Sequence, residues 1–177
     1  MGIAPVVYST LSLKCCSQIN LALRDLGPSD ARLISMAMSQ NGRLVSLKLG
    51  YNNLGDKGVE ILAKGVAHHL SLESLDLGFN GIGDEGCCRL GEAISKSDCP
   101  LQLKTLYLAG NNIRESGAAA IGNVVKKGHL HKLYLTGNRI GPDGVRAVAE
   151  SALDAEHQTV KSLDNGSVGL QELFSTS

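Results

Sequence analysis

Residues 81–86 have the spacing of a phosphate-binding glycine loop. They read Gly-Ile-Gly-Asp-Glu-Gly, which is GxGxxG, and they lie between a predicted strand and a predicted helix. A dinucleotide loop also needs an acidic residue about 20 residues further on, to bind the ribose. Residues 101–110 contain none. Two of the three glycines recur at fixed repeat positions, and only Gly81 is extra. We therefore interpret this motif as repeat structure and expect no cofactor.

Histidines and cysteines are the next candidates for chemistry. His68-His69 and His129-x-His131 have no cysteine or acidic cluster at ligand spacing, so we expect exposed loop histidines and no metal site. No CxxC occurs, and the cysteine pattern is typical of reduced, buried thiols in a cytosolic protein. The alternative is an exposed, reactive Cys88, although no base is evident for it. The five cysteines are Cys15, Cys16, Cys87, Cys88 and Cys99.

No set of residues suggests catalysis, and the composition excludes further classes of function. No paired carboxylates and no Ser-His-Asp set are supported by position, so the chain is not expected to be an enzyme. Lys plus Arg equal Asp plus Glu at 17 each, which disfavours nucleic acid and anionic membranes as partners. Neither a secretory signal nor an apolar run of about 20 residues is present. A cytoplasmic location is expected, with the nucleus as the alternative.

A repeated pattern explains most of the apolar residues. The pattern LxxLxLxxNxL begins at Leu44 and returns from Leu72, Leu103 and Leu130, at intervals of 28, 31 and 27 residues. Each copy continues with a recurring glycine and apolar residues at offsets of 0, 3, 4 and 7, which form one face of a helix. Each unit is therefore predicted to be a strand, a turn and a helix. The recurring glycines are Gly58, Gly86, Gly117 and Gly144.

No unit of this kind buries its apolar face alone, so the units must stack. The stack predicts a parallel sheet on a concave side and helices on a convex side, because helices are wider than strands. An acidic residue near each helix start is expected to cap that helix. The repeat asparagines are expected to form a buried structural ladder that satisfies backbone groups. These residues are Asp56, Asp84 and Glu115, and Asn52, Asn80, Asn111 and Asn138.

The ends of the repeat array are degenerate. We predict an N-terminal flank at residues 1–15 and a leucine-rich repeat domain at 16–153, followed by a degenerate last repeat or cap and tail at 154–177. In the first repeat Arg24 stands at the asparagine position and Asp30 at the glycine position. A hydrophobic face left open at 154–177 would indicate a homodimer through the solenoid ends. Within the domain the predicted repeats are 16–43 (degenerate), 44–71, 72–102, 103–129 and 130–153.

The repeat resembles the ribonuclease-inhibitor class of leucine-rich repeats. Residues 47–59, Leu-Lys-Leu-Gly-Tyr-Asn-Asn-Leu-Gly-Asp-Lys-Gly-Val, are similar to that class, and the resemblance covers roughly 16–153. It implies an α/β leucine-rich repeat solenoid, a horseshoe segment in a eukaryotic cytosolic or nuclear protein. Relatives include the repeat regions of NOD-like receptors and the activator of the Ran GTPase. The chain has fewer repeats than a full ribonuclease inhibitor and lacks the acidic tail of the Ran activator.

A binding site is expected on the concave face, at strand positions outside the consensus. Four of the chain's six aromatic residues map there, and aromatic residues are enriched in interfaces. Small residues beside them, among them Gly50 and Gly78, are expected to leave room for a partner. The alternative is that the rings only cover the sheet and stack on each other. Lys48 and Asp76 have a competing interpretation as a cross-strand ion pair. The candidate partner-binding residues are Lys48, Tyr51, Asp76, Phe79, Tyr107, Lys132 and Tyr134.

Three hypotheses of function follow. The first is a non-catalytic interaction module that binds a protein partner, of unknown identity, through its concave face. The second is a GTPase regulator similar to the Ran activator, which rests on fold analogy. The third is a repeat fragment of a NOD-like immune receptor.

Overall fold

The computed structural model describes residues 16–97, 102–127, 130–153 and 162–164, which form six strands and five helices in strict alternation. The strands are β1 (Gln18–Asn20), β2 (Ser46–Lys48), β3 (Ser74–Asp76), β4 (Thr105–Tyr107), β5 (Lys132–Tyr134) and β6 (Ser162–Asp164). The helices are α1 (Pro28–Gln40), α2 (Gly55–Ala67), α3 (Asp84–Lys96), α4 (Glu115–Lys127) and α5 (Gly141–Leu153).

The strands form one parallel sheet in the order β1 to β6, and each pairs only with its sequence neighbours. The central residue of each strand is in register with the next, so the consensus leucines form a continuous row. Their buried side chains meet the apolar helix faces, which pack between the sheet and solvent. The predicted α/β repeat solenoid is confirmed. The leucines of the described row are Leu47, Leu75, Leu106 and Leu133, each at most 1% exposed.

The repeat asparagines link each turn to its neighbours. The Asn111 amide donates to the carbonyls of Leu77 and Leu108, at 3.1 and 2.9 Å. Its oxygen accepts from the backbone N–H groups of Asn80 and Ile82, both at 3.0 Å. Buried backbone groups of two repeats thus share one side chain, which avoids the free energy of leaving them unpaired. Asn52, Asn80 and Asn138 make the same kind of contact.

The acidic residues at the helix starts cap a different helix from the one expected. Asp56 lies in the first turn of α2, but its carboxylate accepts from the N–H groups of Gly83 (2.6 Å) and Gly86 (3.0 Å) at the start of α3. Asp84 does the same for Arg114 and Gly117. The prediction of a self-cap is wrong for these two residues. The stacking offset places each acid beside the next repeat's free amides, where a carboxylate also complements the helix dipole.

This arrangement explains two of the four recurring glycines, Gly86 and Gly117. A Cβ at Gly86 would lie 2.6 Å from the Asp56 Oδ1 atom, and one at Gly117 would lie 2.5 Å from the Asp84 Oδ1 atom. Only glycine leaves space for the preceding repeat's carboxylate. Two opposing effects act on the pKa of Asp84, and the larger single one is burial, which raises it. Its hydrogen bonds with the Ser116 hydroxyl and the two backbone amides outweigh burial, and the net result is a lowered pKa.

A second set of polar residues links the repeats at the helix ends. The Asn41 amide donates to the Cys16 carbonyl at 3.0 Å, the His69 Nε2 atom lies 2.8 Å from the Asn41 carbonyl, and the Ser97 hydroxyl donates to Ala67 at 2.8 Å. The three occupy one repeat position, 28 residues apart, and all are buried. The expectation of exposed loop histidines is therefore wrong for His69, because its ring closes the carbonyl end of α1. His68 is exposed.

The last described element of the chain is a strand at residues 162–164. They form β6, which pairs in parallel with β5, with Leu163 in register with Leu133. A sixth strand therefore continues the sheet. The remaining residues of the expected cap and tail lie outside the described residues, so the domain limits and the homodimer stay predictions.

Candidate functional site

The concave face carries the candidate residues on the outward positions of β2 to β5 and on the turns that follow β2 and β3. Asp76, Tyr107 and Tyr134 lie in one row across the sheet, because Asp76 pairs in register with Tyr107, and Tyr107 with Tyr134. Lys48 precedes Asp76 in that row. Lys132 lies two residues before Tyr134 on β5 and is exposed. The structure therefore gathers the predicted residues into one surface.

Tyr51 and Phe79 form one stacked pair. Their ring centroids are 4.4 Å apart and their planes differ by 8°. Both residues remain exposed, at 55% and 47%. Stacking across adjacent repeats agrees with the interpretation of the rings as cover for the sheet, and their large exposed fraction agrees with a binding surface. The two interpretations are compatible, since a stacked pair is a rigid apolar surface with little entropy left to lose.

The backbone under these two rings is left-handed. Tyr51 has φ +57° and Phe79 has φ +53°, a region that costs about 1–2 kcal/mol for a residue with a side chain. The repeat imposes this conformation, because the N–H of each residue bonds to a carbonyl of the next repeat, at 2.9 and 2.8 Å. Gly110 and Gly137 occupy the same position in the following repeats and have φ +66° and +75°.

Leu23 belongs to the same row, and the sequence reasoning did not include it among the site residues. It has φ +58°, is 75% exposed, and lies one 28-residue interval before Tyr51. That interval was the available signal. We name Leu23, Tyr51 and Phe79 the apolar ridge. With Asp25 and Asn53, the ridge borders an open groove of about 430 Å³.

Tyr107 and Tyr134 form a second stacked pair, with centroids 4.4 Å apart and planes 4° apart. Both rings are half-buried. Burial raises the pKa of Tyr107, and the charge and hydroxyl of Tyr134 and the Asp76 carboxylate act in the same direction. This phenol is therefore neutral at physiological pH and offers a hydroxyl and a ring face rather than a base.

The glycines beside the rings do not leave open room, contrary to expectation. A Cβ on Gly110 would lie 2.4 Å from the Phe79 ring, so this ring fills the space. The Asp76 carboxylate occupies the space above Gly50, where a Cβ would lie 3.1 Å from both oxygens. Asp76 Oδ1 accepts from the Gly78 N–H at 3.0 Å. The competing Lys48–Asp76 ion pair is not among the ion pairs of the described residues.

The GxGxxG motif and the two cysteines of α3 form no chemical site among the described residues. The GxGxxG amides of Gly83 and Gly86, which would face a phosphate, already bind Asp56. Cys87 is buried, as its repeat position predicts. Burial, and secondarily the Asp84 charge, raise the pKa of Cys88, so this thiol is not activated as a nucleophile. No helix among the described residues is long and apolar enough to cross a bilayer.

Comparison with known proteins identifies the class. The family model described as "Leucine Rich repeat" matches residues 43–63, 68–90, 102–122 and 128–149. These matches fall on the four clear repeats. The chain is a leucine-rich repeat protein of the ribonuclease-inhibitor-like class, as the sequence resemblance predicted. Repeat domains of this family generally bind proteins and are typically non-catalytic.

One solved structure agrees on the fold. The structure of leiomodin-1 actin-binding site 2 is similar with a TM-score of 0.64 and 16% identity, over 89% of this chain and 92% of that one. An internalin from Listeria monocytogenes strain 4b F2365 has a TM-score of 0.40 and 20% identity, over 74% of this chain and 37% of that one. The similarity to the leiomodin-1 structure, at 16% identity, shows the fold alone. A search of curated protein sequences finds no significant match.

Proposed function

We propose that the chain is a non-catalytic binding module whose concave face, led by the apolar ridge, holds a partner protein. The observation that carries the proposal is the use of three large apolar side chains where the backbone favours glycine. Leu23, Tyr51 and Phe79 each accept a left-handed φ, and each is about half exposed or more. Non-glycine residues in this region of the backbone are costly, and such residues concentrate at functional sites.

The side chains of the apolar ridge contribute less buried apolar surface to the fold than core residues do. Leu23 is 75% exposed, so it contributes little burial to the folded chain. The Tyr51–Phe79 stack contributes about 0.5–1.5 kcal/mol, which is less than the combined strain of the two residues, about 2–4 kcal/mol. Covering the three side chains with a partner would add burial that the isolated chain lacks. The arrangement therefore favours association.

Affinity capture with a matched control tests this proposal. The ridge variant is Leu23→Gly/Tyr51→Gly/Phe79→Gly, which suits the left-handed backbone. The control is Met36→Ser/Leu70→Ser/Leu153→Ser, which removes three exposed apolar side chains, 56–66% exposed, outside the ridge. Wild type and both variants, checked for equal folding by circular dichroism, are used to capture proteins from a eukaryotic lysate with quantitative mass spectrometry.

We expect a specific partner set with wild type and the control, and its loss with the ridge variant. Equal recovery by all three proteins would contradict the proposal, as would the absence of specific recovery by wild type. A small GTPase among the captured proteins, hydrolysing GTP faster in the presence of the chain, would instead support the regulator hypothesis.

A further inference from the structure

The Asp76 carboxylate is a fixed acceptor on the concave face. Its Oδ1 atom accepts from the N–H of Gly78, two residues further along the chain, at 3.0 Å, which fixes the side chain against its own backbone. Gly50 lies beneath it on the neighbouring repeat, and a Cβ there would lie 3.1 Å from both carboxylate oxygens. The absence of a side chain at position 50 is therefore what lets the carboxylate lie in this place. Its orientation is set before any ligand arrives.

Tyr107 is the neighbour of this carboxylate across the sheet, and two more aromatic residues follow the glycines next to it. Across the sheet, Tyr107 is the register partner of Asp76 and is stacked on Tyr134. Along the chain, Tyr51 and Phe79 directly follow the two glycines that surround the carboxylate, and they form the other stack. A negative charge beside aromatic faces attracts cations twice, through the carboxylate and through the ring quadrupole. The same surroundings are unfavourable for an anion.

No cation within the described residues uses this acceptor. The ion pairs of the described part of the chain leave Asp76 out, although Lys48 is its register neighbour on β2. Asp76 is half-buried, and the Lys48 side chain is exposed. A partly desolvated carboxylate without a counter-ion interacts more strongly with an incoming charge than a fully exposed one. The described residues therefore supply no charge that complements it.

We propose that Asp76 and Tyr107 form a subsite for an arginine side chain of the partner protein. This inference rests on the proposed function, since it names the chemistry that the concave face recognises. A guanidinium group is planar, so it stacks on the Tyr107 ring while its N–H groups reach the Asp76 carboxylate. Lysine provides the charge without the stacking plane. Arginine is also enriched among the residues that dominate protein interfaces.

The test uses the full chain, labelled with ¹⁵N, and two small probes. N-acetyl-arginine amide carries the guanidinium, and N-acetyl-citrulline amide has nearly the same shape without the charge. In NMR titrations we expect arginine to shift the amide signals of Gly78 and Tyr107 saturably, at least about fivefold more tightly than citrulline. Asp76→Asn should lose that preference. Asp143→Asn is the matched control, because Asp143 is an exposed residue of α5 that pairs only with Arg146 among described residues.

The Tyr107 ring of the subsite gives a second comparison. Tyr107→Phe keeps the ring face and should keep most of the arginine affinity, whereas Tyr107→Leu should weaken it about two- to fivefold. Equal binding of arginine and citrulline, or unchanged arginine binding by Asp76→Asn, would overturn the subsite.

The outcomes separate this inference from the proposed function. Partner capture that depends on the ridge but not on Asp76, with no arginine preference, would overturn the subsite and leave the binding module standing. Arginine binding that depends on Asp76, with no partner captured by wild type, would support the cation site and contradict the proposed function.

Discussion

The N-terminal and C-terminal halves of the concave face use different residue types at the same left-handed backbone position. Each of the five repeats has a residue in the left-handed region three positions after the end of its strand. Repeats four and five use Gly110 and Gly137 there, which is the least strained choice. The first three repeats use the apolar ridge instead. The backbone is shared, so it does not require the large side chains of the N-terminal half, which the proposed function assigns to binding.

The asparagine ladder is the part of the scaffold that both halves share, and breaking it should have the largest effect. Asn80→Ala removes side-chain hydrogen bonds to the Leu49 and Gly78 carbonyls and leaves the buried Leu54 N–H without its acceptor, so it should lower the free energy of unfolding by about 3 kcal/mol. Asn111→Ala, in the C-terminal half, should have a similar effect. Urea denaturation followed by circular dichroism measures both.

Asn53→Ala is the control for the ladder. Asn53 lies in the same loop but is exposed, and its side-chain amide donates to Asp25 at 2.7 Å. Its loss should change the free energy of unfolding by less than about 1 kcal/mol. If Asn80→Ala were as mild as Asn53→Ala, the ladder would not be a main stabilising feature of the stack.

Gly110 lies at the boundary between the two halves, and substituting it should have the next largest effect. Gly110→Ala adds a Cβ that meets the Phe79 ring at 2.4 Å, in a residue with φ +66°. We expect a loss of about 2–3 kcal/mol from strain and overpacking together. Gly81→Ala is matched in backbone, with φ +68° and nothing within 4 Å, and should cost only about 1 kcal/mol.

A double variant isolates the contribution of the ring. In the background Phe79→Gly, the change Gly110→Ala should cost about as much as Gly81→Ala, because the overlap is gone. Thermal and urea unfolding of the four proteins in the cycle measure the coupling. An unchanged cost in the Phe79→Gly background would show that the ridge and Gly110 do not interact as the structure places them.

The sequence predicted the scaffold better than the surface, for physical reasons. The leucine and asparagine periods predict strand, helix and stacking order, because each unit has only one apolar surface to bury. The acids were assigned to the wrong helices, since the amides that Asp56 reaches depend on the stacking offset and not on chain distance. The burial of His69 was missed for the same reason, because its partner carbonyl is 28 residues away.

The concave residues were predicted in position but not in conformation. The repeat period placed Tyr51 and Phe79 on one strip, which the register of the strands reproduces. The left-handed φ of these residues arises from hydrogen bonds to the next repeat. A glycine in the sequence indicates such a φ, whereas an aromatic residue does not. The space beside Gly110 was expected to be free, since the orientation of the Phe79 ring is decided by packing alone.

The buried polar position at the helix ends offers a related comparison. Only one of its three residues, His69, titrates near neutral pH. Asn41, His69 and Ser97 occupy one repeat position, and burial lowers the pKa of His69 below its usual value of about 6.5. The unfolded chain then binds a proton at a higher pH than the folded chain. The contribution of His69 to the free energy of unfolding is therefore fully present above about pH 6.5 and is lost as the pH falls below it.

The variant His69→Gln should weaken that pH dependence, since glutamine retains a donor for the Asn41 carbonyl and does not titrate. The measurement is the melting temperature at pH 7.5 and pH 5.5, for wild type, His69→Gln and the exposed control His68→Gln. A pH dependence that disappears in His68→Gln and persists in His69→Gln would contradict the assignment.

Leu23→Gly should have the smallest effect, and its sign tests the comparison of the two halves. Glycine releases about 1–2 kcal/mol of left-handed strain and loses about 0.5–1 kcal/mol through the greater freedom of the unfolded chain. Since Leu23 is 75% exposed, little burial is lost. The variant should therefore be more stable than wild type by about 0.5 kcal/mol. Urea unfolding with repeated measurements resolves this difference.

Leu70→Gly is the control that makes the sign informative. Leu70 is similarly exposed, at 63%, and is not among the described residues with positive φ, so glycine there should destabilise the chain slightly. Opposite signs for two exposed leucines would show that the ridge is strained in the free protein. If Leu23→Gly destabilised the chain as Leu70→Gly does, then Leu23 would serve the fold. The N-terminal half would then not give up stability for binding at Leu23, its most exposed ridge residue.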